Sequence, residues 1–153
     1  MTEWVKSFFG RRNNKGFGVH SPFVYELITE VIHEKKDYVY IKVSEKLTEE
    51  KTKRTKKLLK LWERLINKYG VDEPKFFINF KVDDAYAAEV LGELEENRDK
   101  RTFMLLDGVR RKSMNKDFGK IMSEKSQVEI QMNDFTLYVL DSKLQKGKYY
   151  VKV

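Results

Sequence analysis

The chain has 153 residues, 41% hydrophobic and 36% charged, with 31 Lys and Arg against 24 Asp and Glu for a net charge of +7. That length fits one compact domain, with or without an N-terminal appendage, and the apolar fraction is sufficient for a folded core. The absence of cysteine excludes disulfides, thiolate nucleophiles and cysteine-held metal centres, and the two histidines, His20 and His33, are too few for a usual catalytic zinc site. No run approaches the roughly 18 to 20 apolar residues of a membrane span, and Met1 to Lys6 lacks the apolar core of a secretory leader. A cytoplasmic protein with no membrane partner is expected. The surplus of positive charge permits a nucleic-acid or acidic partner without requiring one.

Trp4 to Phe9 has the pattern of a short amphipathic turn ending at Gly10, and Arg11 to Gly18 (RRNNKGFG) reads as a basic loop. Ser21 followed by Pro22 is a helix start: a hydroxyl that caps, then a residue whose missing N–H does no harm in the first turn. Phe23, Val24, Leu27, Ile28, Val31 and Ile32 then fall on one helical stripe. Tyr38 to Val43 has strand composition but stands isolated between charges. Residues 1–37 thus read as an N-terminal helical appendage and 38–153 as a single small α/β domain.

Ser44 to Lys57 is polar apart from Leu47 and reads as a solvated extension; Leu58, Leu61, Trp62, Leu65, Ile66 and Tyr69 then repeat with helical period up to a stop at Gly70. Phe76 to Phe80 is a short buried strand. A helix follows from about Asp83 to Asn97, with an inner stripe of Ala85, Ala88, Leu91 and Leu94 beside Val90. Thr102 to Leu106 is a second buried strand. A helix over Ser113 to Ser123 is expected to turn Met114, Phe118, Ile121 and Met122 inward. Val128 to Met132 alternates, which predicts one side facing water; Asn133-Asp134 turns it into Phe135 to Leu140, and Tyr149 to Val153 reads as a closing strand. Two β-α-β steps and a hairpin imply an α/β fold: a mixed sheet of parallel strands with right-handed crossovers, an antiparallel edge from the C-terminal hairpin, and helices on both faces.

Gly18-Val19-His20-Ser21-Pro22-Phe23-Val24 resembles the "HGxHSPFV" opening of a group of bacterial class I S-adenosylmethionine-dependent methyltransferases, with Phe17 where that pattern has histidine. Phe77-Ile78-Asn79-Phe80 and the helix after it are similar to the family's fourth strand and following helix. Leu105-Leu106-Asp107-Gly108-Val109 resembles its "FDDI" strand end, with Gly108 replacing the second acidic residue. Val128 to Val153 is similar to its final antiparallel strands. The glycine-rich turn and the acidic strand end with which the family holds its cofactor have no counterpart here. The resemblance therefore implies a truncated, Rossmann-like methyltransferase fold that has lost its cofactor-binding half.

Ligands of open α/β sheets gather at the C-terminal ends of the parallel strands. This places Lys81, Asp83 and Asp84 near Asp107, Arg110 and Arg111, a mixed cluster suited to a phosphate, a metal or an anionic substrate. The competing reading gives Asp83 and Asp84 to helix capping and Asp107 to a strand-ending turn with Gly108. Capping also accounts for Ser21 beside His20 better than nucleophilic catalysis, for which no third orienting group is present. Arg11, Arg12 and Lys15 near Phe8, Phe9 and Phe17, with Lys53, Arg54 and Lys57 in the run to Lys60, form the alternative nucleic-acid surface. Glu45, Glu49, Glu50 and Glu63 offset that run as helical pairs would. The leading expectation is a non-catalytic binding or interaction protein with no cofactor, an unidentified protein partner, and self-association as a homodimer to cover the truncated sheet edge. The alternatives are a methyltransferase using S-adenosylmethionine in an atypical or partner-completed site, and a nucleic-acid binder.

Overall fold

The computed structural model describes residues 21–32, 53–70, 75–109, 114–132 and 135–152. The expected turn at 4–9, the basic loop, His20, His33, the Tyr38 to Val43 segment and the Asn133-Asp134 turn lie outside them.

Helix α1 spans Pro22–Glu26 and continues as a π-helical turn, Leu27–Ile32. Its start follows the local chemistry: Ser21 Oγ accepts from Val24 N, and Pro22 occupies the first turn. Widening into the π-turn coincides with Thr29, whose Oγ1 donates to Tyr25 O at 2.8 Å and so competes for a carbonyl of the helix ladder. Helix α2, Lys53–Tyr69, ends at Gly70, where φ is +82° and the amide donates to Ile66 O. Then come β1 (Lys75–Ile78), α3 (Asp84–Glu96), β2 (Thr102–Asp107), α4 (Lys116–Lys125), β3 (Val128–Met132), β4 (Phe135–Leu140) and β5 (Gly147–Tyr150).

The strands form one mixed sheet in the order β1-β2-β4-β3-β5. β1 is parallel to β2 and β3 to β5, while β4 is antiparallel to both β2 and β3. Four strands therefore point one way and β4 alone opposes them. The α/β class with parallel strands and a C-terminal hairpin is present, but the antiparallel strand is not the edge that the chain order suggested. β4 folds back from β3 into the space beside β2, and its residues Phe135 to Val139 are all buried. An apolar strand covered on both faces gains more inside the sheet than at a rim.

Strand periodicity divides the core. Phe103, Leu105, Val128, Ile130, Met132, Phe135, Leu137 and Val139 join Val24, Leu27, Ile28 and Val31 of the first helix and Leu58, Leu61, Trp62 and Leu65 of α2 on one face. Met104, Leu106, Ile78 and Tyr138 join Val90, Leu94, Phe118 and Met122 of α3 and α4 on the other. Helices thus cover both faces. The segment at 21–32 shares its core with the sheet.

Three expectations of orientation are corrected. The inner stripe of α3 is Val90 and Leu94 with Tyr86, Ala87 and Leu91 packed alongside, while Ala85 and Ala88 face water. A methyl group gains too little from burial to set the helix's rotation against a tyrosine and a valine. On α4, Phe118, Gly119 and Met122 are buried while Ile121 is exposed. β3 is buried on both sides, Glu129 and Gln131 included, because β5 makes it an interior strand and brings Lys148 Nζ within 3.2 Å of Glu129 Oε2.

Candidate functional site

The C-terminal ends of β1 and β2 meet at one buried side chain. Asn115 stands at the N-cap position of α4, but its side chain makes no capping bond to that helix. Its Nδ2 donates to Phe80 O and to Asp107 O, each at 2.9 Å, and its Oδ1 accepts from Val82 N at 2.9 Å. Its own amide donates to Gly108 O, and its carbonyl accepts from Gly119 N. One amide therefore ties the loop after β1, the end of β2 and the start of α4 together, with both donors and the acceptor in use.

The other residues of the strand ends are arranged around this stitch. Asp83 caps α3, its Oδ1 accepting from Tyr86 N at 2.7 Å, and Asp84 follows in the first turn, where negative charge complements the helix dipole. Both are exposed, as is Lys81. Asp107 is buried, and its Oδ1 accepts from Gly108 N. Gly108 has φ +76°, a conformation that glycine adopts without strain, and a β-carbon there would come within 2.9 Å of Met114. Phe80 is exposed at the end of β1, its ring edge-on to Tyr86 at 5.1 Å. Burial, and then the charges of Glu89 and Glu93, push the Tyr86 phenol up. Arg110 and Arg111 lie outside the described residues, so of the six expected ligand-site residues Lys81, Asp83, Asp84 and Asp107 are placed at this edge.

Among the described residues, no group of three or more His, Asp or Glu is arranged to hold a metal ion. No helix among them is long and apolar enough to cross a membrane.

Of the expected nucleic-acid residues, Arg11, Arg12 and Lys15 lie outside the described residues, and Lys53 and Arg54 are described only as backbone of α2. Lys57 is exposed and lines a groove with Lys60 and Arg64. Neither Asn115 nor Arg64 is among the expected site residues, although an asparagine just ahead of a helical stripe is itself a start signal. A scan against family models gave no match, and neither curated proteins nor solved structures gave one.

Proposed function

We propose that this chain is a non-catalytic binding or interaction protein, built on a methyltransferase-like sheet without the half that holds the cofactor. One observation carries the reading: the crevice between the ends of β1 and β2, where an open α/β sheet takes its ligand, is bridged by Asn115 through three hydrogen bonds. The turn from Asn79 to Asp83 contains no glycine, and its Val82 amide is already bonded. The described residues therefore do not fit an adenosyl group against the main chain there. The carboxylates of Asp83 and Asp107 accept backbone amides, as capping and turn residues do. The hairpin over β3 and β4 is in line with the closing antiparallel strands that the family resemblance implies.

Calorimetric titration with S-adenosylmethionine and S-adenosylhomocysteine tests this reading. No heat of binding is expected. Micromolar affinity for either compound overturns the proposal in favour of a methyltransferase with an atypical or partner-completed site.

Self-association belongs to the same proposal. β1 pairs only with β2 among the described strands, and an unpaired strand edge is normally covered by another element or another chain. Light scattering should give the mass of a dimer, and the β1 amides should resist hydrogen exchange. A monomer with freely exchanging β1 amides would remove this part of the proposal.

A further inference from the structure

We propose that Lys148 is a modification site: acylation of its side-chain amine removes the charge that latches β5 to β3 and frees this edge strand. The proposal stands apart from the reading above, because it rests on β3 and β5 and not on the ends of β1 and β2.

Among the described strands β5 pairs only with β3, so it forms one edge of the sheet. Its two faces are attached differently. On the face shared with the first two helices, Val151 just past the strand is buried and Tyr149 packs against the core. The amides of Gly147 and Val151 donate to Gln127 O and Gln131 O. On the opposite face the strands meet through charge. Lys148 is the register partner of Glu129, and its Nζ lies 3.2 Å from Glu129 Oε2. The two members of that pair differ in their surroundings: the Lys148 side chain is 48% exposed and the Glu129 side chain 6%.

Among the described residues no second group answers the buried charge. Glu129 Oε2 is buried and accepts no hydrogen bond, and Tyr138, the register partner on β4, donates its hydroxyl hydrogen to Gly119 O at 3.2 Å. Gln131 Oε1, two residues along β3, is likewise buried without a partner. Removing one member of such a pair strands a carboxylate away from water, which costs far more than an exposed ion pair is worth. The other described ion pairs lack this combination. Lys68 shares its charge with Glu26 and Glu30, and all three side chains reach solvent. Arg101 faces the shielded Asp141, but a guanidinium that keeps its proton is no nucleophile.

The step balances with an acyl phosphate or an acyl thioester as donor. Lys148 Nζ, its proton lost to water, attacks the acyl carbon. The C–O or C–S bond breaks, phosphate or thiolate departs with the electron pair, and an uncharged amide replaces the ammonium. Nothing is oxidised or reduced. Glu129 is then a buried carboxylate without a counter-charge, a state relieved when β5 leaves and water reaches β3. Release takes the Gly147 and Val151 amides off β3 and bares a strand edge able to pair with another chain.

The test uses the full chain carrying Nε-acetyllysine in place of Lys148, with amide hydrogen exchange read by NMR. Exchange at Gly147 and Val151 should quicken about tenfold or more, while the β4 amides keep their protection. Lys148→Arg, which keeps the charge, should stay within about twofold of the parent chain. Glu129→Gln in the acetylated chain should restore most of the protection, because it removes the stranded carboxylate. Peptide mapping of the unmodified chain after exposure to acetyl phosphate should find Lys148 acetylated alongside the exposed Lys143 and Lys152. The latch is refuted if acetyllysine leaves Gly147 and Val151 as protected as before, if β4 accelerates to the same degree, or if Glu129→Gln gives no rescue. The modification site is refuted if Lys143 and Lys152 react with acetyl phosphate and Lys148 does not.

Discussion

Replacing Asn115 by alanine is expected to cost about 2 to 4 kcal/mol, since one buried carbonyl, one part-buried carbonyl and one part-buried amide lose their partner together. For a chain of this size that corresponds to a fall in Tm of roughly 4 to 15 °C. Asn115→Asp, almost identical in shape, should be worse at neutral pH. The amide nitrogen that donates to Phe80 O and Asp107 O becomes an oxygen of a buried carboxylate facing two other oxygens, at a cost of about 3 to 5 kcal/mol. The two variants separate further with pH. Burial and the facing carbonyls raise the folded-state pKa of the new carboxyl above its unfolded value, so the folded state binds the proton more tightly. Its stability deficit is therefore full at neutral pH and narrows as pH falls through that raised value, because a protonated carboxyl donates one of the missing bonds. The alanine deficit has no such term. Urea unfolding at neutral and mildly acidic pH measures both. If alanine lies within about 1 kcal/mol of the parent chain, the net worth of an ordinary hydrogen bond, the three bonds do not hold the strand ends together.

The parts of the fold that were legible in the sequence are those decided within a few residues. Ser21 and Pro22 start a helix, Gly70 stops one and Asp83 caps one, because a cap is a contact between a side chain and the next turn. β1 to β4 were legible from their apolar runs. Strand order was not, because the insertion of β4 between β2 and β3 depends on which faces need covering across the whole sheet. The rotation of α3 is not legible because alanine marks a stripe weakly. The start of α4 was placed two residues ahead of Asn115, and that displacement hid the stitch: an N-cap asparagine that bonds to two other loops has no local signature. The groove was partly legible. Lys57 stood out as charge, but its apolar floor comes from the first helix and from β4, which only the tertiary structure brings to α2.

The largest single loss expected is from Phe103→Ala. Phe103 is fully buried in β2, paired in register with Lys75 and Val139. Its ring stacks on Tyr69 at 4.8 Å and meets Phe23 at 6.5 Å. Arg101, held by Asp141 at 2.9 Å, lies over the outer side of Phe23 at 4.2 Å. The first helix, the end of α2 and the sheet are therefore joined through one aromatic group. Truncation removes the transfer energy of the ring and leaves a cavity, about 3 to 5 kcal/mol, and the stacked pair adds about 0.5 to 1.5 kcal/mol. A loss of this size consumes a large share of the 5 to 15 kcal/mol typical of a domain. The loss should also be directional. Met104, the next residue, points to the opposite face and packs in the cluster with α3 and α4. Phe103→Ala should speed hydrogen exchange in α1 and α2 before α3 and α4, and Met104→Ala should reverse the order, because local opening follows the layer that has lost its packing. If both variants accelerate all four helices equally, the two layers unfold as one unit, and the division of the core by sheet face has no energetic meaning.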